Sequence, residues 1–191
     1  MPDLKFVSFD PAIRNLGIVR GIVALEDMGI RISSMNLVQT QDDSGKKVRK
    51  SSDDLRRAME LHGAMVLAET WADILIAEIP SGSQSARSSL GAGVMIGLLA
   101  ARRKPLIQVS PAEAKKVAVG RSNATKDEMI EWAYGLYPSA DWIKSIRSKR
   151  ASKLTDENEH LADAIAIAHA GVRTPEFRTA CALLTSSMSM H

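Results

Sequence analysis

Three runs of apolar and β-branched residues follow one another within residues 5–38, and the turns between them are too short for anything but an antiparallel meander. The runs are KFVSF, LGIVRGIVALE and IRISSMNLVQ, separated by an Asp-Pro turn and by the turn from Glu26 to Gly29. A polar, basic loop over 39–52 then leads to a helix over 53–70, spaced through Leu55, Met59, His62 or Gly63, Val66 and Leu67. The short apolar run ILIAEI reads as a buried central strand ended by Glu78 and closed by Pro80-Ser81-Gly82.

The second half alternates. A Gly/Ala-rich helix runs from Ser83 to Arg102, with Ala86, Leu90, Val94 and Leu98 on one stripe, and LIQV at 106–109 forms a fifth strand. Ser110-Pro111 is an N-cap and first-turn pair for a helix to Val119, and Lys126 to Tyr137 is a further helix ended by Pro138. After a basic loop over 144–153, Thr155 caps a helix to about Val172 with Leu161, Ala164, Ile165 and Ala168 inward, and a short helical tail is expected after Pro175. The order βββαβαβα predicts an α/β protein of ribonuclease H-like architecture, a mixed five-stranded sheet flanked by helices. At 191 residues the whole chain, 1–191, reads as one domain.

Composition narrows the function classes. The longest apolar stretch, Leu90 to Ala101, is broken by glycines and falls short of the ~20 residues that span a bilayer. The N-terminus carries Asp3 and Asp10 where a secretory signal has a basic start and an apolar run, so the cytoplasm, of a bacterial or phage-infected cell or else an organelle, is the expected compartment. A single cysteine, Cys181, allows neither an internal disulfide nor a cysteine-rich zinc cluster, leaving oxygen and imidazole to bind any metal. The net charge of +3 says little, but its distribution says more. Lys46, Lys47, Arg49, Lys50, Arg56 and Arg57 fall together, Arg102, Arg103 and Lys104 are consecutive, and Lys144, Arg147, Lys149, Arg150 and Lys153 share an acid-free stretch. Such clusters suit a polyanion, although a charge run is more often a solvated face.

Four residues sit where this architecture gathers side chains: Asp10 at the end of strand one, Glu78 at the end of the central strand, and His160 and Asp163 on the last long helix. His160 and Asp163 are three apart and project from one face. An Asp before Pro is a common turn former, and a helix-borne His or Asp is ordinary. A Glu inside an apolar strand is harder to dismiss, because an unpaired buried carboxylate is costly. Carboxylates from separate elements repel unless a cation neutralises them, and Mg²⁺ ions, two of them ~4 Å apart, suit such oxygens and phosphodiester hydrolysis.

FDPAIRNLGIV, EIPSGSQSA, SPAEAKKVAVG and NEHLADAIAIAHA, in that order over residues 5–171, resemble the RuvC-type Holliday-junction resolvases. The D-x-x-x-R-N form around Asp10, Arg14 and Asn15 is similar to the mitochondrial and poxviral branch. The resemblance implies a Mg²⁺-dependent homodimeric endonuclease, able to use Mn²⁺, that cuts four-way DNA junctions in recombination and repair. Asp10, Glu78, His160 and Asp163 would hold the metals, Lys115 and Lys126 would lie toward the scissile phosphate, and protomers would pair through the Ser83–Arg102 helix. Two departures stand out: Ala12 replaces the usual Gly, and Pro80 to Ser83 lack the aromatic that stacks on junction bases. A less specific nuclease on flaps, branches or RNA/DNA hybrids is the alternative, followed by an inactive branched-DNA-binding module. A sugar-kinase-like fold lacks its Gly-rich phosphate loops here.

Overall fold

The computed structural model describes residues 3–43, 48–80, 85–145 and 154–188. The meander is present as β1 (Leu4–Pro11), β2 (Asn15–Ala24) and β3 (Gly29–Gln39). Then follow α1 (Lys50–Glu69), β4 (Ile74–Glu78), α2 (Ala86–Ala100), β5 (Leu106–Val109), α3 (Pro111–Val119), α4 (Lys126–Leu136), α5 (Asn158–Gly171) and α6 (Pro175–Met188). The sheet order is β3-β2-β1-β4-β5; β2 is antiparallel to both neighbours, while β4 is parallel to β1 and β5. Every helical crossover therefore delivers the chain back to the same end of the sheet.

Alternation along the strands divides the core in two. Val7, Phe9, Leu75 and Ala77 pack with Leu61, Met65, Met95 and Leu99 of α1 and α2. Phe6, Ile74 and Ile76 pack on the other face with Leu161, Ala164, Ile165 and Ala168 of α5, the stripe expected from sequence. Ser8, fully buried, donates its hydroxyl to the Ala164 carbonyl at 2.7 Å, fixing α5 against β1.

Several local expectations change. The helix α1 forms, but Leu55, Met59, Val66 and Leu67 face solvent, and Asp53, Asp54, Arg57 and Glu69 turn inward beside Leu61 and Met65. The inward polar groups are satisfied: Arg87 binds Asp54, Arg56 binds Asp53, and Glu69 accepts from Arg102 and from the Arg103 and Lys104 amides. Paired in this way, they no longer carry the full desolvation penalty that assigns charged residues to the surface. On α2 the buried stripe is Gly91, Met95 and Leu99, and Leu90 is 49% exposed. Thr155 does not cap α5; a turn intervenes, and the buried Asn158 amide bonds the Thr155 carbonyl and both backbone groups of Ile143. Ser110 and Thr125 do head their helices, each in a reciprocal capping box with a Glu, Glu113 and Glu128.

The basic clusters also lose members. Arg57 and Arg102 are only 1% and 2% exposed along their side chains and are bound to Asp42 and Glu69. Lys46, Lys47, Arg147, Lys149, Arg150 and Lys153 lie outside the described residues, as does the loop 81–84. Among the described residues no helix is long and apolar enough to cross a membrane.

Candidate active site

Strand register brings the first two acids together. The parallel ladder pairs Phe9 with Ala77, so Asp10 and Glu78 stand side by side one step further on, at the carboxyl ends of β1 and β4. Alternation sends both side chains to the face covered by α5, where His160 and Asp163 occupy the first turns. The helix sits so close to β2 that only a glycine fits at position 17: a Cβ there would stand 2.2 Å from the His160 carbonyl oxygen. His160 Nδ1–H donates to Asp10 Oδ2 at 2.7 Å, which leaves the neutral ring's lone pair on Nε2.

Electrostatics mark the cluster as short of positive charge. Burial, reinforced by the Asp10 and Asp163 carboxylates, pushes Glu78 up to about 7, with Lys115 opposing. Asp163 is likewise raised to about 7 by burial, then by Asp10 and Glu159, against Lys115 and His160. Burial works against protonation of His160, but the Asp10 hydrogen bond and the surrounding acids prevail and raise its pKa. Among the described residues no three Asp, Glu, His or Cys side chains are grouped closely enough to hold a metal ion as they stand. In donor type and charge the set nevertheless fits a hard divalent cation, which takes carboxylate oxygens and relieves their repulsion.

The two lysines differ. Lys115, half-buried one turn into α3, lies within the field of Glu78 and Asp163. Lys126, the first residue of α4, is 71% exposed and bonds Glu159 Oε2 at 2.5 Å. Glu159 was not singled out from sequence, where it reads as a favourable charge in the first turn of a helix. Beyond it, Gln39 Nε2 reaches Asn15 Oδ1 at 3.3 Å and Glu157 Oε1 at 3.2 Å, tying the ends of β2 and β3 to the start of α5.

A mixed sheet in this order, flanked by helices on both faces, with acids at the carboxyl ends of β1 and β4, has the ribonuclease H-like fold. Within that class the fold is that of RuvC. Thermus thermophilus RuvC in complex with Holliday junction substrate is similar with a TM-score of 0.62 at 18% identity, over 92% of this chain and 97% of that one. A second Thermus thermophilus RuvC structure gives 0.56 at 22% identity, over 87% and 92%. The fowlpox virus resolvase in complex with substrate Holliday junction DNA gives 0.51 at 13% identity, over 95% and 99%. No protein-family model and no curated protein sequence matches the chain.

Proposed function

We propose that the protein is a divalent-metal-dependent DNA endonuclease that resolves four-way junctions by symmetric hydrolysis of phosphodiesters. The observation that carries this reading is the β1–β4 register, which sets Asp10 beside Glu78 under the α5 face bearing His160 and Asp163. The likeness in fold to two resolvases solved with Holliday junction DNA supports branched DNA as the substrate.

Asp10, Glu78 and Asp163, with His160, would hold Mg²⁺ or Mn²⁺, two ions per site. When bound, such ions supply Lewis-acid stabilisation of the phosphodiester and activation of water. His160 holds the Asp10 carboxylate in place through Nδ1–H and carries a second nitrogen able to take a proton or a cation. Lys115 brings positive charge to the acids and to the phosphate they would face. Lys126, at the helix start beside Glu159, would meet the DNA backbone.

A second copy of the chain completes the reading. After Arg87, α2 has no charged residue, yet only Gly91, Met95 and Leu99 are buried within one chain. Leu90 and Ile96 are 49% and 43% exposed, and Gly93 and Gly97 face open space. A homodimer through this face would present two sites about a twofold axis, matching the symmetry of a four-way junction.

The test is cleavage of duplex, flap, RNA/DNA hybrid and four-way substrates with Mg²⁺ and with EDTA. Junctions should be nicked symmetrically in opposing strands, in Mg²⁺ only. Asp10→Asn, Glu78→Gln and Asp163→Asn should each abolish cutting while binding persists or tightens. Equal cutting of linear duplex or hybrid would replace the resolvase reading by a general nuclease, and full cutting in any of the three variants would reject the site.

A further inference from the structure

The turn that follows Asp10 is held from outside itself. In the β1–β2 ladder Asp10 stands opposite Gly17 and Pro11 opposite Leu16, so only residues 12–14 join the two strands. The turn's own backbone bond, from the Ala12 N–H to the Asn15 carbonyl, is long at 3.2 Å. The carbonyls of Ile13 and Arg14 are taken up by other segments. Thr40, just past β3, donates its amide to Arg14 at 2.9 Å and its hydroxyl to Ile13, and Arg57 of α1 adds Nη2–H to the same Ile13 carbonyl at 3.2 Å.

Arg57 was counted from sequence among the cations that suit a polyanion, yet its side chain is 1% exposed. Each nitrogen has an acceptor: Nε bonds Thr40 Oγ1 at 2.9 Å, Nη1 bonds Asp42, and Nη2 bonds Ile13. Taking a guanidinium out of water is costly, and packing alone would be served by an apolar side chain. What the planar fork adds is a simultaneous hold on acceptors in two segments. One of these is itself fastened, since Asp42 also binds Arg14 at 3.0 Å and Arg56 Nη2 donates to the neighbouring Gln41 carbonyl at 2.6 Å. On the α2 side the Ile13 side chain is closely seated, for a Cβ at Gly91 would stand 3.3 Å from its Cγ2.

Among the described residues Arg57 bonds none of the four candidate ligands; its reach is through the backbone. A three-residue turn that drifts carries both strand ends with it. One end holds Asp10, and the other holds Gly17, on which α5 rests with His160 and Asp163.

We propose that Arg57 is a positioning residue of the candidate site: it clamps the turn after Asp10, and so fixes Asp10 against the ligands on α5. The effect on cutting rests on the nuclease reading; the clamp itself does not. Arg57→Met keeps much of the stem and leaves no buried acid bare, because Asp42 is 40% exposed and retains Arg14. Hydrogen exchange read by mass spectrometry, without metal or DNA, should speed up by about tenfold or more at residues 12–17 and at Thr40, with α3 unchanged. Single-turnover cutting of saturating junction should slow on the order of 100-fold and need more Mg²⁺, while junction affinity in EDTA stays within about twofold. Arg57→Lys keeps the charge without the fork and should behave as Arg57→Met does.

A residue serving stability alone would leave the Mg²⁺ midpoint of the folded protein where it is. A folded Arg57→Met that cuts within about threefold of wild type, exchange that rises in every element alike, or an Arg57→Lys equal to wild type would overturn the proposal. If Arg57→Met does not fold, Thr40→Val, which removes the hydroxyl from the same clamp, must show both the faster turn and the slower cut, and otherwise overturns it too. Faster exchange of the turn in a protein whose wild type cuts no junction removes the nuclease reading alone; wild-type cutting with unchanged exchange in the variants removes this inference alone.

Discussion

Gly17→Ala tests whether the close seat of α5 on β2 is what aligns the candidate site. The added Cβ would lie 2.2 Å from the carbonyl oxygen and 2.9 Å from the carbonyl carbon of His160. Both are backbone atoms, so no side-chain rotation relieves the overlap; α5 must retreat by about 1.2 Å to regain an ordinary 3.4 Å contact. Overpacking of this kind costs about 1–3 kcal/mol. The same retreat carries His160 and Asp163 away from Asp10 and Glu78, and a misplacement of ~1 Å among reacting groups costs on the order of 100-fold in rate. Urea denaturation reads the first effect, and junction cleavage under single-turnover conditions in Mg²⁺ reads the second. Gly63→Ala is the matched control, because a Cβ there meets nothing within 4 Å; it should stabilise α1 by about 0.5–1 kcal/mol and leave cutting unchanged. A Gly17→Ala protein within 0.5 kcal/mol of wild type and within twofold in rate would refute the close-seat argument.

The acids give a pH dependence with a definite sign. Glu78 and Asp163, raised to about 7, lower the stability of the metal-free fold as pH climbs from ~4.5 through 7, and His160, whose pKa is also raised, loses its contribution as pH rises above its ordinary value. Melting in EDTA should therefore show the wild type losing stability between pH 5.5 and 8 more steeply than Glu78→Gln; parallel curves would contradict the burial of that carboxylate. Glu159→Gln frees Lys126, and the slope of log K for DNA against log salt should steepen by about 0.9; an unchanged slope would return Lys126 to an ordinary surface lysine. His160→Asp should keep measurable cutting in Mg²⁺, since a carboxylate also binds hard cations; a folded but inactive variant would make His160 a proton carrier. Gly97→Trp projects into open space and should leave the monomer folded while sedimentation shows the dimer lost; a wild-type monomer at micromolar concentration would dismiss the α2 interface.

What was legible in the sequence follows from range. The strands and helices repeat their signal every two or four residues, so the βββαβαβα order and the α5 stripe emerge from local pattern alone. Asp10, Glu78, His160 and Asp163 stood out because each breaks or marks such a pattern at the end of an element. Arg57, Arg87, Asp54 and Glu159 did not, because their meaning lies in partners on other elements: Arg87 is 33 residues from Asp54, and Lys126 is 33 from Glu159. For the same reason the apolar spacing of α1 marks a helix but not its buried side, since nothing local shows that the charged residues opposite are paired.

That pairing changes what the basic clusters mean. Counted along the chain, Arg56, Arg57 and Arg102 belong to patches that any polyanion could use, whereas in the fold they are bound to Asp53, Asp42 and Glu69. Among the described residues, the lysines that act on the acids are Lys115, in the field of Glu78 and Asp163, and Lys126, in that of Glu159 and Asp163. Positive charge grouped there attracts a phosphate where it can be cut, whereas charge spread over the surface holds DNA at any position equally well. If the proposed dimer selects its substrate by the fixed spacing of two sites, four-way junctions should be bound more tightly than linear duplex of equal length at the same salt, and equal affinity would count against that selection.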